Sequence, residues 1–401
     1  MSYYYPLFDS LSVAFLTGSI IGFTSESSLL RIASIPIIGS LTWHCLLTCP
    51  RYIARSSWAS AVGGYTLSLF THYLDVAVLS RWSFGNWGQS TAPSASSKSG
   101  LKPSHQSEVV SRMKFGFSMI FSWRFINTPY QARNIPPLEE ELRSSKARFL
   151  THTAFTIAAC YLLLDVMDSS SDKVPEFYSI DKISLLSRIQ EVSIEELIMR
   201  FFAAVGLGVG LVSFQRGVYN IVAFFCVAIG LSTPVDWPPF NGPVSEVSNL
   251  RYFWSTFWHQ TNTHRLRTLS NFFIRDVLRI RKNAKLVRFL RIWVVFLISG
   301  LMHVAIDFSA GIPIQDSGAM RFFLIQPLGI IIEDVAGTYA SPAIPKPRIV
   351  RRCLGFIWVS LWMAWTAPAY LYPIINKSDP EDSGVVPVSL VGYAKRLVEA
   401  L

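Results

Sequence analysis

RFLRIWVVFLISGLMHVAIDF, Arg288–Phe308, is the stretch on which the fold turns. It is apolar over enough residues to cross roughly 30 Å of hydrocarbon as a helix, yet it holds His303 and Asp307 inside. An ionisable side chain at membrane depth is costly, and by default it marks a functional site. Ser299, His303 and Asp307 are spaced one turn apart, so they form a polar line down one face of an otherwise apolar helix. Gly300, beside them, leaves room for a close neighbour. Upstream lies a basic, aromatic-rich approach. From Arg251 to Arg291 it carries ten Lys and Arg against a single acid, Asp276, and so accounts for most of the net charge of +10.

The same apolar character recurs along the whole chain. Of 401 residues, 51% are hydrophobic and 15% charged, where soluble domains carry about 25% charged residues. The sequence therefore predicts an all-α, polytopic helical transmembrane protein of about eight or nine membrane helices, with an interfacial or re-entrant segment and a central tunnel. The positive charge sits between membrane segments, which excludes nucleic acid as the natural partner and favours anionic lipid or an anionic co-substrate. The five cysteines adjoin apolar segments without metal-ligand spacing and read as small buried hydrophobes. No metal site and no disulfide framework is expected. The start, MSYYYPLFDS, has no positive n-region, so the first apolar segment is expected to stay as a membrane helix.

Read in order, residues 1–80 hold three apolar segments (about 8–23, 29–49 and 58–79). Gly18, Gly22, Gly39, Gly63 and Gly64 are placed for close helix packing. Pro36 is expected to kink the second segment, and His44 and His72 to bond between helices. Residues 81–148 form a cytoplasmic interlude, with a loose loop near 85–107 and an interfacial amphipathic helix from Val109 to Ile126. Residues 149–232 hold the middle membrane segments. An acidic loop, Asp168–Glu196, lies between them, and the GLGVG run at Gly206–Gly210 reads as packing glycines because no strand precedes it. Two crossings at Ile198–Phe214 and Val218–Leu231 would put the acidic loop and the basic approach on one side of the membrane. That conflicts with the positive-inside rule, so one of the two is expected to be re-entrant or to cross only in part. In the approach, Leu250, Phe253, Trp254, Phe257 and Trp258 fit an apolar helix face. Arg265, Arg267, Arg275, Arg279, Arg281, Lys282 and Lys285 follow as a basic patch. Residues 233–380 make up the catalytic region, including a basic loop with Lys346, and 381–401 a tail.

A neutral imidazole at His303 suits general-base chemistry, since the ordinary histidine pKa of about 6.5 lies in the working range. Asp307 is placed to orient it, as an acid orients the histidine of a hydrolytic triad. The same spacing also fits a plain hydrogen bond between helices. Four stretches break that tie: Phe253–Gln260 (FWSTFWHQ), Ser299–His303 (SGLMH), Phe322–Ile330 (FFLIQPLGI) and the Trp237–Phe240 loop (WPPF). In order and spacing they resemble the wax-synthase-like branch of the membrane-bound O-acyltransferases, of the type found in fungal terpenoid and meroterpenoid pathways. The likeness covers residues 230–380, whereas the first 230 agree in hydropathy alone.

The resemblance implies transfer of an acyl group from acyl-CoA to an alcohol. It favours acetyl-CoA with a lipophilic terpenoid or meroterpenoid alcohol over a long-chain acyl-CoA with a fatty alcohol or sterol. It implies His303 as the base and His259 as support for the thioester or oxyanion. Trp258, Arg265 and Arg267 are the candidate CoA contacts, and the endoplasmic reticulum is the expected membrane. Members often carry a basic residue just before the Trp-His pair, where this chain has Thr256 and Phe257. Asp307 rests on helix spacing alone. From another class, a proton-coupled transporter could use His303 and Asp307 as a relay. Such folds often show two related halves, whereas the polar chemistry here is concentrated in the C-terminal half.

Overall fold

The computed structural model describes residues 5–85, 105–170, 175–280, 285–340, 347–377 and 384–399. Most of the loop expected at 85–107, the cations Arg281, Lys282 and Lys346, and part of the tail lie outside the described residues. The longer helices are α1 (Tyr5–Phe23), α2 (Ile35–Tyr52), α3 (Ser56–Tyr73), α4 (His105–Phe121), α5 (Lys146–Ser170) and α6 (Ile194–Ala228). They continue as α7 (Thr263–Phe272), α8 (Lys285–Ser309), α9 (Ala319–Ala340), α10 (Arg348–Thr366), α11 (Pro368–Lys377) and α12 (Leu390–Glu399). No strand occurs among the described residues.

The chain forms two compact units, each assembled from separated stretches: Met1–Ala132 with Thr261–Ile314, and Arg133–Gln260 with Gln315–Leu401. In the first, α1 packs on α2, α3 and α4, and α8 packs on α2 and α3. Glycine sets the closest approaches. A Cβ on Gly116 of α4 would run into the carbonyl oxygen of Gly18 on α1, and one on Gly63 of α3 would run into Ser309 of α8. His44 of α2 bonds Asp9 of α1 at 2.6 Å, and His72 of α3 bonds the Met119 carbonyl of α4 at 2.7 Å. Both histidines thus bridge helices. Pro36 lies in the first turn of α2, after a break at Ser34, where its missing N–H costs no helical bond. The amphipathic helix expected near 109–126 forms as α4, but its apolar side, Phe115, Met119 and Ile120, is buried in the core of this unit. Gly116 permits that contact, while Val110, Met113 and Phe121 of the same helix stay exposed as an apolar edge for the interface.

In the second unit α5 and α6 form the main pair, with α10 and α11 against α6. Here the structure corrects the sequence reading. Residues 198–214 and 218–231 are not two segments, because Gln215, Arg216 and Gly217 sit inside one 35-residue helix, α6. At 1.5 Å per residue α6 is roughly 52 Å long, far beyond the hydrocarbon thickness, so its ends reach past the apolar layer. A single crossing places the acidic loop before α6 and the basic approach after it on opposite sides, and the conflict with the charge rule disappears. Of the GLGVG glycines, Gly206 and Gly210 face Met167 of α5, whereas Gly208 has open space beside it.

Five helices among the described residues are long and apolar enough to span a membrane, or six if the pair Ile349–Thr366 and Pro368–Lys377, bent by 44°, counts as one span. Hydropathy alone suggests eight or nine. The difference has identifiable sources: α6 replaces two segments, α3 is interrupted by serines and ends in a π-helical turn at Leu74–Leu79, and α9 carries Arg321, Glu333 and Asp334. Outward-facing Phe155, Phe202 and Phe225 are at least 60% exposed. Large apolar side chains so displayed on spanning helices suit contact with lipid, not water.

Candidate active site

The predicted site residues divide between the units: His303, Asp307, Arg265 and Arg267 in the first, Trp258 and His259 in the second. In α8 the aromatic ring of Phe308 stacks on Trp43 of α2 at 5.8 Å, and Gly64 of α3 meets Ile306. These contacts fix the rotation of α8. Phe296, Ser299, Gly300, His303 and Asp307 then occupy a face distinct from that of Ile306 and Ser309, which pack on α3. Asp307 is buried at 3% exposure, while His303 is only half-buried.

The ring of His303 is oriented by the backbone. Its Nδ1 lies 2.8 Å from the Ser299 carbonyl oxygen, an acceptor with no proton to give. Nδ1–H therefore donates, and the neutral ring carries its lone pair on Nε2. The sequence reading gave that orienting role to Asp307; the structure gives the Nδ1 bond to the preceding turn of the same helix. Asp307 stays one turn further along the polar line.

Arg265 departs furthest from expectation. Read as a CoA contact, it is 2% exposed and turned inward. Its Nη1 donates to the Ser68 carbonyl at 2.9 Å, and its Nη2 to the Ser68 hydroxyl and to Asn262. The guanidinium lies over the Trp123 ring, 5.2 Å from the centroid. Arg265 thus ties α7 to α3. Arg267 points outward and is exposed, as are Arg275 and Arg279.

Hydropathy and motif spacing missed a neighbouring pair. His264 Nδ1 sits 2.6 Å from Asp75 Oδ2, and Asp75 is fully buried at 0% exposure. The imidazole rests against Trp82 and Phe125 at 5.2 and 4.7 Å. Phe125 holds a left-handed backbone, φ +50°, strained for a bulky residue. The partners are 189 residues apart in sequence, so only the fold could have paired them.

In the second unit the Trp-His stretch is not one regular helix. Leu250–Tyr252 is α-helical, Phe253–Phe257 is a π-turn, and Trp258 is extended at φ −66°, ψ 152°. The expected apolar face therefore breaks at Trp258, where the wide turn closes through Trp258 N–H to the Phe253 carbonyl at 2.8 Å. π-turns gather at functional sites. Helix α9 holds this stretch at two points. Glu333 accepts the Leu250 N–H at 2.5 Å and the Trp358 indole N–H at 2.8 Å. One carboxamide oxygen, Gln326 Oε1, accepts from Trp362 at 3.0 Å and from Trp254 at 3.4 Å. Trp258 packs on Phe253 and Trp254, and His259 lies against Trp258 and against Phe240 of the WPPF loop. That loop is seated on α6, where Tyr219 donates to the Pro238 carbonyl at 2.8 Å.

Residues 237–325, which include every site residue named from the sequence, match the membrane bound O-acyl transferase family. Over 370 residues the chain is 34% identical to acetyltransferase aurG of Calcarisporium arbuscula, a match covering 89% of this chain and 90% of that protein. The chain belongs to the membrane-bound O-acyltransferase family. It is also 37% identical over 275 residues to acetyltransferase ataH of Aspergillus terreus (66% of this chain, 90% of that one). With acetyltransferase TRI7 of Fusarium sporotrichioides it shares 32% identity over 296 residues (68% and 66%). No solved structure matches it. As a membrane-bound O-acyltransferase the protein is an integral membrane enzyme that brings an acyl donor and an acceptor together in a lipid environment. The transporter reading is not favoured.

Proposed function

We propose that this O-acyltransferase moves an acetyl group from acetyl-CoA to a hydroxyl of a lipophilic terpenoid or meroterpenoid alcohol, at the membrane of the endoplasmic reticulum. The observation that carries the mechanism is the bond from His303 Nδ1–H to the Ser299 carbonyl, which makes Nε2 the basic nitrogen of a neutral ring inside a spanning helix. Nε2 takes the alcohol proton as the hydroxyl oxygen attacks the thioester carbonyl. The C–S bond then breaks and the CoA thiolate departs, taking up a proton. The family resemblance gives His259 the support of the thioester or oxyanion and Trp258 a CoA contact. Exposed Arg267 meets the CoA phosphates, Arg265 fixes the position of α7 and so of Arg267, and Asp307 keeps the face around the imidazole polar.

Relatives with acetyltransferase in their names support the acetyl group. A lipid-soluble alcohol gives a physical reason for placing the base in a spanning helix. The test is mass spectrometry of the host's metabolite pool with and without the gene. A species heavier by one acetyl unit, formed from a terpenoid alcohol only when the gene is present, is the expected result. A long-chain ester instead would overturn the choice of donor, and no new ester at all would overturn the substrate class.

A further inference from the structure

Helix α12 and the turn before it are fastened to the end of α5 by two carboxylates. Asp165 Oδ2 accepts the N–H of Leu390 at 2.8 Å and of Val391 at 3.0 Å. Asp168 Oδ2 accepts those of Val385 at 2.7 Å and Val386 at 3.1 Å. Asp165 is fully buried, and its bonds satisfy two of the free amides that open a helix. Around this clasp Tyr161 donates to the Val388 carbonyl, and the Ser169 and Ser389 hydroxyls bond at 3.0 Å. Lys395 donates to the Ser169 carbonyl at 2.9 Å. The spanning helix α5 thus fixes both where α12 begins and how it is rotated.

That rotation leaves an apolar stripe uncovered. Leu390, Tyr393, Ala394, Leu397 and Val398 follow i, i+3, i+4, i+7, i+8, and the four large side chains are at least 50% exposed. Val391 and Gly392, off the stripe, are half-buried. Three observations say what the stripe meets. First, it continues a surface that already faces lipid: Leu162, Leu163 and Val166 of α5, around the buried Asp165, are exposed. Second, from Lys146 to Asp165 α5 rises roughly 28 Å, about one hydrocarbon thickness, so α12 starts at the edge of the apolar layer. Third, Lys395 is drawn to Ser169, one turn further out along α5 than Asp165, and the stripe on the opposite side of α12 turns back toward that layer. Lys395 and Arg396 flank the stripe on either side, as cations do that reach for phosphates from the rim of an interfacial helix.

We propose that α12 lies in the membrane interface on the side of the acidic loop and docks on the phospholipid leaflet there. Its stripe from Leu390 to Val398 sinks among the upper acyl carbons, while Lys395 and Arg396 stay among the headgroup phosphates. Asp165 and Asp168 hold the helix at that height, so the clasp registers α5 against the bilayer surface. This placement holds whichever alcohol and acyl donor the enzyme uses.

The test places the photo-reactive residue benzoylphenylalanine, one position at a time, in place of Tyr393, Leu397 or Arg396. The whole protein is reconstituted in phosphatidylcholine nanodiscs, with the same probe in place of Phe155 as the lipid-facing control. After irradiation, mass spectrometry measures how much of each probe-bearing peptide is joined to lipid. The probes replacing Tyr393 and Leu397 should react with lipid about as well as the control and roughly fivefold better than the probe replacing Arg396. Adducts joining two copies of the chain at those two positions, or no adduct there while the control reacts, would overturn the assignment. In native membranes, cross-linking of those positions to another protein would overturn it as well. Asp165→Asn with Asp168→Asn should lower the lipid yield at Tyr393 by roughly threefold and leave the control unchanged, since the clasp that caps the helix is weakened; an unchanged yield would remove the clasp from the account. The first comparison keeps both carboxylates, so misfolding of the double variant does not shield the proposal.

Discussion

Replacing Glu333 by Leu should loosen the Trp-His stretch without touching any reacting group. The Glu333 carboxylate accepts the Leu250 N–H at 2.5 Å, the Arg251 N–H at 3.4 Å and the Trp358 indole N–H at 2.8 Å. The first two are the free amides at the start of a helical turn, and losing such a cap costs about 1 kcal/mol. The third leaves an indole donor unpaired in a half-buried position, at about 1–3 kcal/mol. Together the loss is about 2–4 kcal/mol, a change of roughly 30-fold or more in the folded-to-unfolded ratio. Glu333→Gln keeps one acceptor oxygen and should lose about half as much. The assay is thermal unfolding of the detergent-purified protein alongside steady-state acyl transfer. The melting point should fall in the order wild type, Gln, Leu. For variants still folded at the assay temperature, KM for the acyl donor should rise more than KM for the alcohol. A Glu333→Leu protein as stable as wild type, or one whose two KM values rise equally, would refute this role for α9.

The paired arginines should part company. Arg267→Ala should raise KM for acetyl-CoA about tenfold with an unchanged melting point, and the effect should shrink at high salt; Arg265→Lys should lower the melting point through lost contacts to Ser68 and Asn262 and leave the salt dependence of KM alone. Gly116→Ala forces a Cβ into the Gly18 carbonyl and should cost about 1–3 kcal/mol by denaturant or thermal melts, while Gly208→Ala, with open space around it, should be neutral or gain up to about 1 kcal/mol. Asp75→Asn should destabilise the first unit, because it weakens the bond to His264 in a buried setting; a melt within error of wild type would show that bond to be dispensable.

The membrane helices were legible because a long apolar run has few other destinations. The polar line on α8 was legible because i and i+4 share a face whatever surrounds them. What escaped detection depended on geometry that periodicity does not encode. Gln215-Arg216-Gly217 looks like an interruption, yet a helix absorbs three such residues when the rest of its surface is apolar. The apolar spacing from Leu250 to Trp258 assumes 3.6 residues per turn, which the π-turn at Phe253–Phe257 breaks. Arg265 and Arg267 look alike in sequence, and only the position of Ser68 turns one inward and leaves the other outside. The 2.8 Å bond from His303 to its own helix competes with any acid for Nδ1, and a side-chain list cannot show a backbone acceptor.

The central claim is that His303 Nε2 accepts the proton of the acceptor alcohol. Its most direct test is the rate of free CoA thiol release by purified wild type, His303→Ala and His303→Gln, each confirmed folded by its melting curve and given acetyl-CoA with the acceptor alcohol. Both variants should fall by roughly 10²–10⁴ with little change in KM for acetyl-CoA. Alcohol-dependent release that stays within tenfold of wild type in either folded variant would contradict the account.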